Sequence, residues 1–195
     1  MKLIKKLTLL LLAVFMSSCE DYLSPEPHSA VVADFYYTND QEIQAAVESL
    51  YDGLQGVNDT QSNSNHGTQV EYQLTEMRSD NTRTKASEGE PAQFESFNVQ
   101  STNGIVFDYY RSVYNVIFRA NTVLANLENA SSEAVGQFEA EAKFVRAYSY
   151  FNLVRLWGPV PLIDGIVALD DYETQFGRVD ASTVYSLIVS DLETA

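Results

Sequence analysis

The sequence predicts an all-α fold built from antiparallel helix pairs, and three observations carry that prediction. Val106, Tyr110, Val113, Ile117, Ala120, Leu124 and Leu127 recur in steps of four and three, a stripe about six turns long. A second periodic run follows after a polar break at 129–132. Glycine and proline together are 14 of 195 residues, few for a turn-dense β-sandwich.

The chain begins with a segment that does not belong to that fold. Lys2, Lys5 and Lys6 precede an apolar run, Leu7 to Met16, broken only by Thr8. Ser17 and Ser18 then lead to Cys19. Charged, apolar, then small is the order of a secretory signal peptide. The apolar run is about ten residues, and a bilayer core takes about twenty. A cysteine after small residues resembles the lipobox of bacterial lipoproteins. There a diacylglycerol is joined to the sulfur, the chain is cut before it, and the cysteine becomes the first residue. Cys19 is the only cysteine, so an internal disulfide and a multi-thiolate metal site are both excluded. Several acyl chains on one residue make a stable anchor, at about 0.8 kcal/mol per buried methylene.

Removing residues 1–18 removes three lysines and no acid, so the net charge of −15 becomes −18 over the remaining 177 residues. That surface lacks the basic footprint that phosphate backbones require, so nucleic acid is not a partner. Anionic membranes and anionic substrates are disfavoured for the same reason. Neutral ligands stay open.

Residues 20–37 read as a tether and an extended lead-in, with Pro25 and Pro27 opposing helix. A first helix starts at Asn39 or Asp40, both good N-caps, with Glu42 three residues after Asn39. Ile43, Ala46, Val47, Leu50, Tyr51 and Leu54 are its apolar positions and Gly56 its stop. Residues 58–69 hold no large apolar side chain and read as a solvated loop. A short amphipathic piece spans Val70 to Met77. "RSDNTRTKASEGEP" is polar again, closed by Pro91, and "FESFNV" at 94–99 alternates weakly as a short strand or extended loop.

The long stripe starts near Ile105. The following helix runs from about Glu133 to Trp157, with one row at Ala140, Phe144, Ala147, Phe151 and Val154 and a second at Val145, Tyr148 and Leu156. Two apolar rows mean cover on two sides, and the N-cap is expected within 129–132. Gly158, Pro159 and Pro161 end that helix. A loop with Asp164, Asp170, Asp171 and Glu173 leads to a last helix, Asp180 to Ala195, where Val184, Ile188 and Leu192 recur every four residues. Two helices of about 25 residues joined by a short turn form one unit of a helical solenoid. They lack the tetratricopeptide consensus and share only its architecture. The last row, Val184, Ile188 and Leu192, is expected to lack a covering element.

Five stretches together resemble one family. They are "CEDYLSPEP" (19–27), "FYYTNDQEIQAAVESLYDGL" (35–54), "RSVYNVIFRANTVLANL" (111–127, with Asn121), "EAKFVRAYSYFNLVRLWGPVPLI" (141–163) and "VYSLIVSDLETA" (184–195). In this order they resemble the N-terminal part of SusD/RagB-type outer-membrane lipoproteins of Bacteroidetes. The resemblance implies a tetratricopeptide-like helical-repeat fold, truncated here. It implies a lipoprotein signal at 1–18, a lipidated tether and lead-in at 19–37, and an N-terminal helical domain at 38–195, incomplete at its C-terminus. It further implies a cell-surface, lipid-anchored protein that captures glycans or other nutrients and hands them, uncatalysed, to a TonB-dependent (SusC-like) outer-membrane receptor. Glu20 and Asp21 resemble the signal that sends such lipoproteins to the outer face.

The residues offer little for catalysis. His28 and His66 sit in polar segments, and no HExxH, glycine-rich phosphate loop or CxxC occurs, so no cofactor or metal is implied. Glu139/Glu141 point to different sides of a helix, and Asp170/Asp171 read as a solvated loop. Sugar binding uses aromatic faces for the apolar side of the ring and Asp, Asn or Arg for its hydroxyls. Loops on a rigid scaffold are where such groups sit. By resemblance, Asp80 in "RSDNT" matches a Ser-Asp step of the family, with Arg78, Asn81 and Arg83 as polar neighbours. Asp80, Asn81 and Arg83 are the candidate ligand contacts, and an ordinary solvated loop is the alternative. Phe94 and Phe97 read as core or as a stacking pair, and Trp157 as core. The single Trp and Pro159, where the family often carries a polar residue, depart from the pattern. A competing class is a helical-repeat lipoprotein that binds only protein, as a scaffold.

Overall fold

The computed structural model describes residues 36–56, 67–85, 89–167 and 176–195. The signal segment, Cys19, the lead-in up to residue 35, His28, His66, Asp170, Asp171, Glu173 and the loop 57–66 lie outside the described residues. The elements described below belong to one compact unit, Tyr37–Ala195.

Helix α1, Asp40–Leu54, starts where its caps place it. The Asn39 side chain accepts from the Glu42 amide at 3.1 Å, and Glu42 reaches back to the Thr38 amide at 2.8 Å. This is a capping box displaced by one residue at its return arm. Ile43, Val47 and Leu50 are buried, and Gly56 follows the helix at φ +109.

Helix α2, Gly67–Thr75, continues into a 3₁₀ turn, Glu76–Arg78. The segment expected as strand or extended loop is instead the end of a helix, α3, Glu90–Glu95. Pro91 opens this helix rather than closing a loop. In a first helical turn its missing N–H has no partner to lose.

Helix α4, Gly104–Ala125, is capped by Asn103, whose side chain accepts from the Ile105 and Val106 amides. Val113, Ile117 and Ala120 of the predicted stripe are buried, and so are Tyr109, Val116 and Val123 on the adjoining row. The helix is therefore covered on two faces. A 3₁₀ turn, Leu127–Asn129, follows.

Helix α5, Val135–Trp157, enters without a side-chain cap: its N-cap is Ala134, not a residue of 129–132. The turn before it is held from elsewhere, because Asp40 of α1 accepts from the Ser131 amide at 2.7 Å. Gly158 ends α5 at φ +69, a left-handed position that favours glycine.

Strands β1, Val160–Pro161, and β2, Arg178–Val179, pair antiparallel where only loop was expected. Helix α6, Ala181–Thr194, completes the described chain.

The core has two parts. Ile43, Val47 and Leu50 of α1 pack on Val116, Ala120 and Val123 of α4 and on Ala142 and Val145 of α5. Leu74, Phe94, Ile117, Leu153, Val160, Val184 and Ile188 join in the other. The expected α5 rows are corrected here. Phe144 is 53% exposed and Phe151 39%, whereas Arg146, Ser149, Tyr150 and Asn152 are buried. Ala147, Val154 and Val145 of the expected rows are buried as well, so the interior side of α5 is part apolar and part polar, and the apolar count misplaces Phe144, Phe151 and Tyr148. The expected uncovered row of α6 is corrected too. Val184 and Ile188 are buried against the core, and Leu192 is 49% exposed while its neighbour Asp191 is buried.

A polar network lies between α4, α5 and α6. Arg146 donates through Nε and Nη2 to the two carboxylate oxygens of Asp191, 2.8 Å each. Its Nη1 donates to Asn121 Oδ1 at 2.9 Å. Asn121 Nδ2 in turn donates to the Ile163 and Gly165 carbonyls. Nothing in the periodicity flags this network, because its members are 25 and 45 residues apart.

Candidate functional site

Two surfaces carry chemistry that a ligand can use. The first lies between the loop 79–85 and α3. The 3₁₀ turn fixes the start of that loop: the Glu76 carbonyl accepts from the Ser79 amide, the Ser79 hydroxyl and the Thr82 hydroxyl. Glu95 fixes its end, accepting from the Thr84 amide at 2.5 Å and the Thr84 hydroxyl at 2.8 Å. These bonds, the amide first, hold the Glu95 carboxyl below its usual value of 4.5. Arg83 Nη1 lies 3.9 Å from Glu95, with its side chain 88% exposed. Asp80 and Asn81 are exposed as well. The structure therefore places all three predicted contacts on one braced, solvent-facing loop. Thr84, Ala92, Glu95 and Ser96 line an open recess of about 410 Å³ beside it.

Phe94 and Phe97, at the end of α3 and just beyond it, part company. Phe94 is core, and Phe97 is 75% exposed at φ +54. The Phe97 amide donates to the Phe94 carbonyl and the Asn98 amide to the Gln93 carbonyl. That is the helix ending in which glycine normally takes the left-handed position. A left-handed conformation costs a bulky residue about 1–2 kcal/mol, and a ring left in solvent returns little burial energy against that. The following segment is clamped to α3. Gln93 Oε1 accepts from the Gln100 amide and from Asn103, and Glu90 Oε1 accepts from the Gly104 amide at 2.7 Å. Phe97 is thus displayed on a rigid turn next to Glu95. A bulky residue where glycine is expected carries no periodic signal, so the sequence offers Phe97 only as half of a core or stacking pair and not as a lone exposed ring.

The second surface is an open groove of about 560 Å³ bounded by the end of α1, α2, α4 and α5. Tyr72, Tyr109, Phe144 and Tyr148 supply aromatic walls, and Val113 and Val116 an apolar floor. Glu71 and Glu76 face it with Thr75, Ser149 and Asn152. The Tyr148 hydroxyl lies 3.2 and 3.3 Å from the two Glu71 oxygens. Tyr109 lies beside Glu71 in the same lining, and burial, then the nearby Glu71 charge, pushes the ionisation of its hydroxyl upward.

The remaining candidates are accounted for. Glu139 pairs with Lys143 at 2.6 Å, and Glu141 accepts from Tyr51 and Gln137, so they do not form an acid–base couple. Trp157 is half-buried, stacked on Tyr109 at 6.2 Å and edge-on to Tyr110 at 5.2 Å. It is packed where the sequence reading put it, as core. Among the described residues, no three His, Cys, Asp or Glu side chains gather to hold a metal ion.

Fold and surface together define a class: an all-α helical-repeat module that displays polar and aromatic side chains on loops and in a groove. Residues 21–195 match the family model SusD-like_3, described as starch-binding and associating with the outer membrane, and the chain belongs to this SusD-like family. It is 30% identical over 191 residues to SusD-like protein P25 of Formosa agariphila, covering 91% of this chain and 34% of that one. A SusD superfamily structure from Bacteroides fragilis superposes with a TM-score of 0.67 at 26% identity, covering 80% of this chain and 38% of that one. A laminarin-binding SusD-like protein superposes with a TM-score of 0.64 at 27% identity, covering 81% and 34%. The chain thus spans about a third of the length of these relatives.

Proposed function

We propose that this chain is the amino-terminal part of a surface-exposed outer-membrane lipoprotein that captures glycans or related nutrients and passes them unaltered to a TonB-dependent, SusC-like receptor. Residues 1–18 are the discarded signal, Cys19 the lipidated first residue, 19–37 the tether and lead-in, and 38–195 the N-terminal helical portion of a longer fold. The match of residues 21–195 to the SusD-like family carries this reading. A relative of similar fold is named for laminarin binding, which supports a glycan ligand.

The capture surface is the recess beside loop 79–85. Phe97 offers a ring face for the apolar side of a sugar, and Asp80, Asn81 and Arg83 offer hydroxyl partners. The bracing by Glu76 and Glu95 supports this, because a loop ordered before binding loses less entropy on binding. Calorimetry on the full-length protein with a panel of neutral oligosaccharides tests it. At least one ligand binds and none is turned over. Asp80→Ala weakens binding by about 1–3 kcal/mol, the value of a lost hydroxyl hydrogen bond to a charged group, with the melting temperature unchanged. Turnover of any glycan overturns the non-catalytic part.

One observation favours the alternative, a scaffold that binds only protein. Tyr185, Val189 and Leu192 expose an apolar face on α6. A panel with no glycan ligand, together with a protein partner lost on Val189→Asp, would establish that reading instead.

A further inference from the structure

The groove between α1, α2, α4 and α5 differs in chemistry from the recess, and the two share no lining residue. Its volume of about 560 Å³ lies within the range of ordinary ligand sites, roughly 300–1,000 Å³. Its walls are aromatic: Tyr72, Phe144 and Tyr148 are all part-exposed, so ring faces and edges remain open. Among the described residues its charged side chains are Glu71 and Glu76, and no lysine or arginine lines it. Two nearby cations are already committed: Arg119, beside Gly53, donates to Asn115 and the Ser49 carbonyl and pairs with Asp52, and Arg155 is held as well. It lies 4.5 Å over the Phe151 ring and donates to Asn152 Oδ1.

Glu71 is held for use. The Tyr148 hydroxyl bonds to its carboxylate, and Tyr109 lies beside it in the same lining. A carboxylate offers about four acceptor positions, so this hydroxyl leaves room for a ligand donor. Aromatic faces around a fixed carboxylate favour a cation twice, through the ring quadrupoles and through the charge. A ring-shaped, hydroxylated ligand stacks on the same faces. A uronate or sulfated sugar meets two like charges instead.

We infer that this groove is a second binding site, specific for an amine-bearing sugar, with Glu71 as the residue that receives the ammonium group. The site is independent of glycan capture at the recess and stands even where the recess binds nothing. Glu71→Gln keeps an oxygen for the Tyr148 hydroxyl and removes only the charge.

The test compares three hexamers on the full-length protein by calorimetry at mildly acidic pH: β-1,4-linked glucosamine, its N-acetylated form, and the glucose form. The first differs from the second only in an ammonium group for each acetamide. It binds at least about tenfold more tightly than either other hexamer, as one charge-assisted hydrogen bond requires. Glu71→Gln abolishes the preference. Glu128→Gln, at an exposed acid away from the groove, leaves it intact and so separates the site from general attraction to an acidic protein. Phe144→Ala, at a half-exposed wall, weakens the glucosamine hexamer about threefold and serves if Glu71→Gln fails to fold. Equal binding of the three hexamers, a preference that survives Glu71→Gln, or, where that variant does not fold, glucosamine-hexamer binding left unchanged by Phe144→Ala, overturns the inference. Asp80→Ala leaves the preference unchanged, which distinguishes failure here from failure at the recess.

Discussion

Arg146 of α5 and Asp191 of α6 meet in the interior as a two-pronged ion pair, both contacts 2.8 Å, with side chains only 8% and 3% exposed. Such a pair is dear to break from one side, because the survivor keeps its charge without its partner. Asp191→Ala is expected to destabilise the chain by about 3–5 kcal/mol. Replacing both by apolar residues of similar volume, Arg146→Met with Asp191→Leu, costs far less, because no charge is left behind. Denaturant titration of the two single variants and the double variant gives the coupling. Additive losses would show that the pair is not one unit.

The outward turn of Phe144 sets a second expectation. In this chain Phe144→Ala costs less than about 1 kcal/mol, because half the ring is already in water. Leu153→Ala, at a fully buried position on the same helix, costs about 2–5 kcal/mol. Parallel chemical denaturation ranks the two. The reverse order would restore the apolar-row reading of α5.

Phe97 links stability to binding. Phe97→Gly frees a left-handed position from an unfavourable side chain and is expected to stabilise the chain by about 1 kcal/mol, less glycine's own entropy cost. It should also weaken glycan binding at the recess, since the ring face is gone. A rise in melting temperature with unchanged affinity would leave the strain real and remove Phe97 from the site.

Acid should loosen the recess before it loosens the core. Thr84 and Arg83 hold the Glu95 carboxyl below 4.5, so its bonds stabilise the loop at pH values above that. The contribution fades as pH falls through the depressed value and the carboxylate takes up a proton. Protection of the Thr84 amide, its exchange relative to the intrinsic rate at each pH, should therefore fall as pH drops below 4.5, and Glu95→Ala should show little protection throughout. Protection at Thr84 that is flat with pH would mean that Glu95 does not hold the loop.

At the other end of the chain, Cys19→Ala should move the protein from the membrane fraction to the soluble one. Mass spectrometry of the wild type should find residues 1–18 gone and acyl chains on Cys19. Unchanged membrane association in the variant would end the lipoprotein proposal.

The sequence by itself determined the helices and much of their punctuation. Asn39 and Glu42 place the start of α1, Gly158 the end of α5, and the four-three stripe nearly all of α4. These signals are legible because each depends on residues within about four positions, the reach of a helical turn. Tertiary structure alone decided which way α5 faces. Arg146 looks like a solvent residue until Asp191, 45 positions on, and Asn121, 25 positions back, supply its partners. It alone decided the fates of Phe94 and Phe97, three residues apart. Pro91 starts a helix whose last turn buries one ring and whose left-handed ending presents the other. The groove was hidden for the same reason: Glu71, Tyr109 and Tyr148 belong to three helices, and only packing brings a carboxylate and two aromatic walls into one lining.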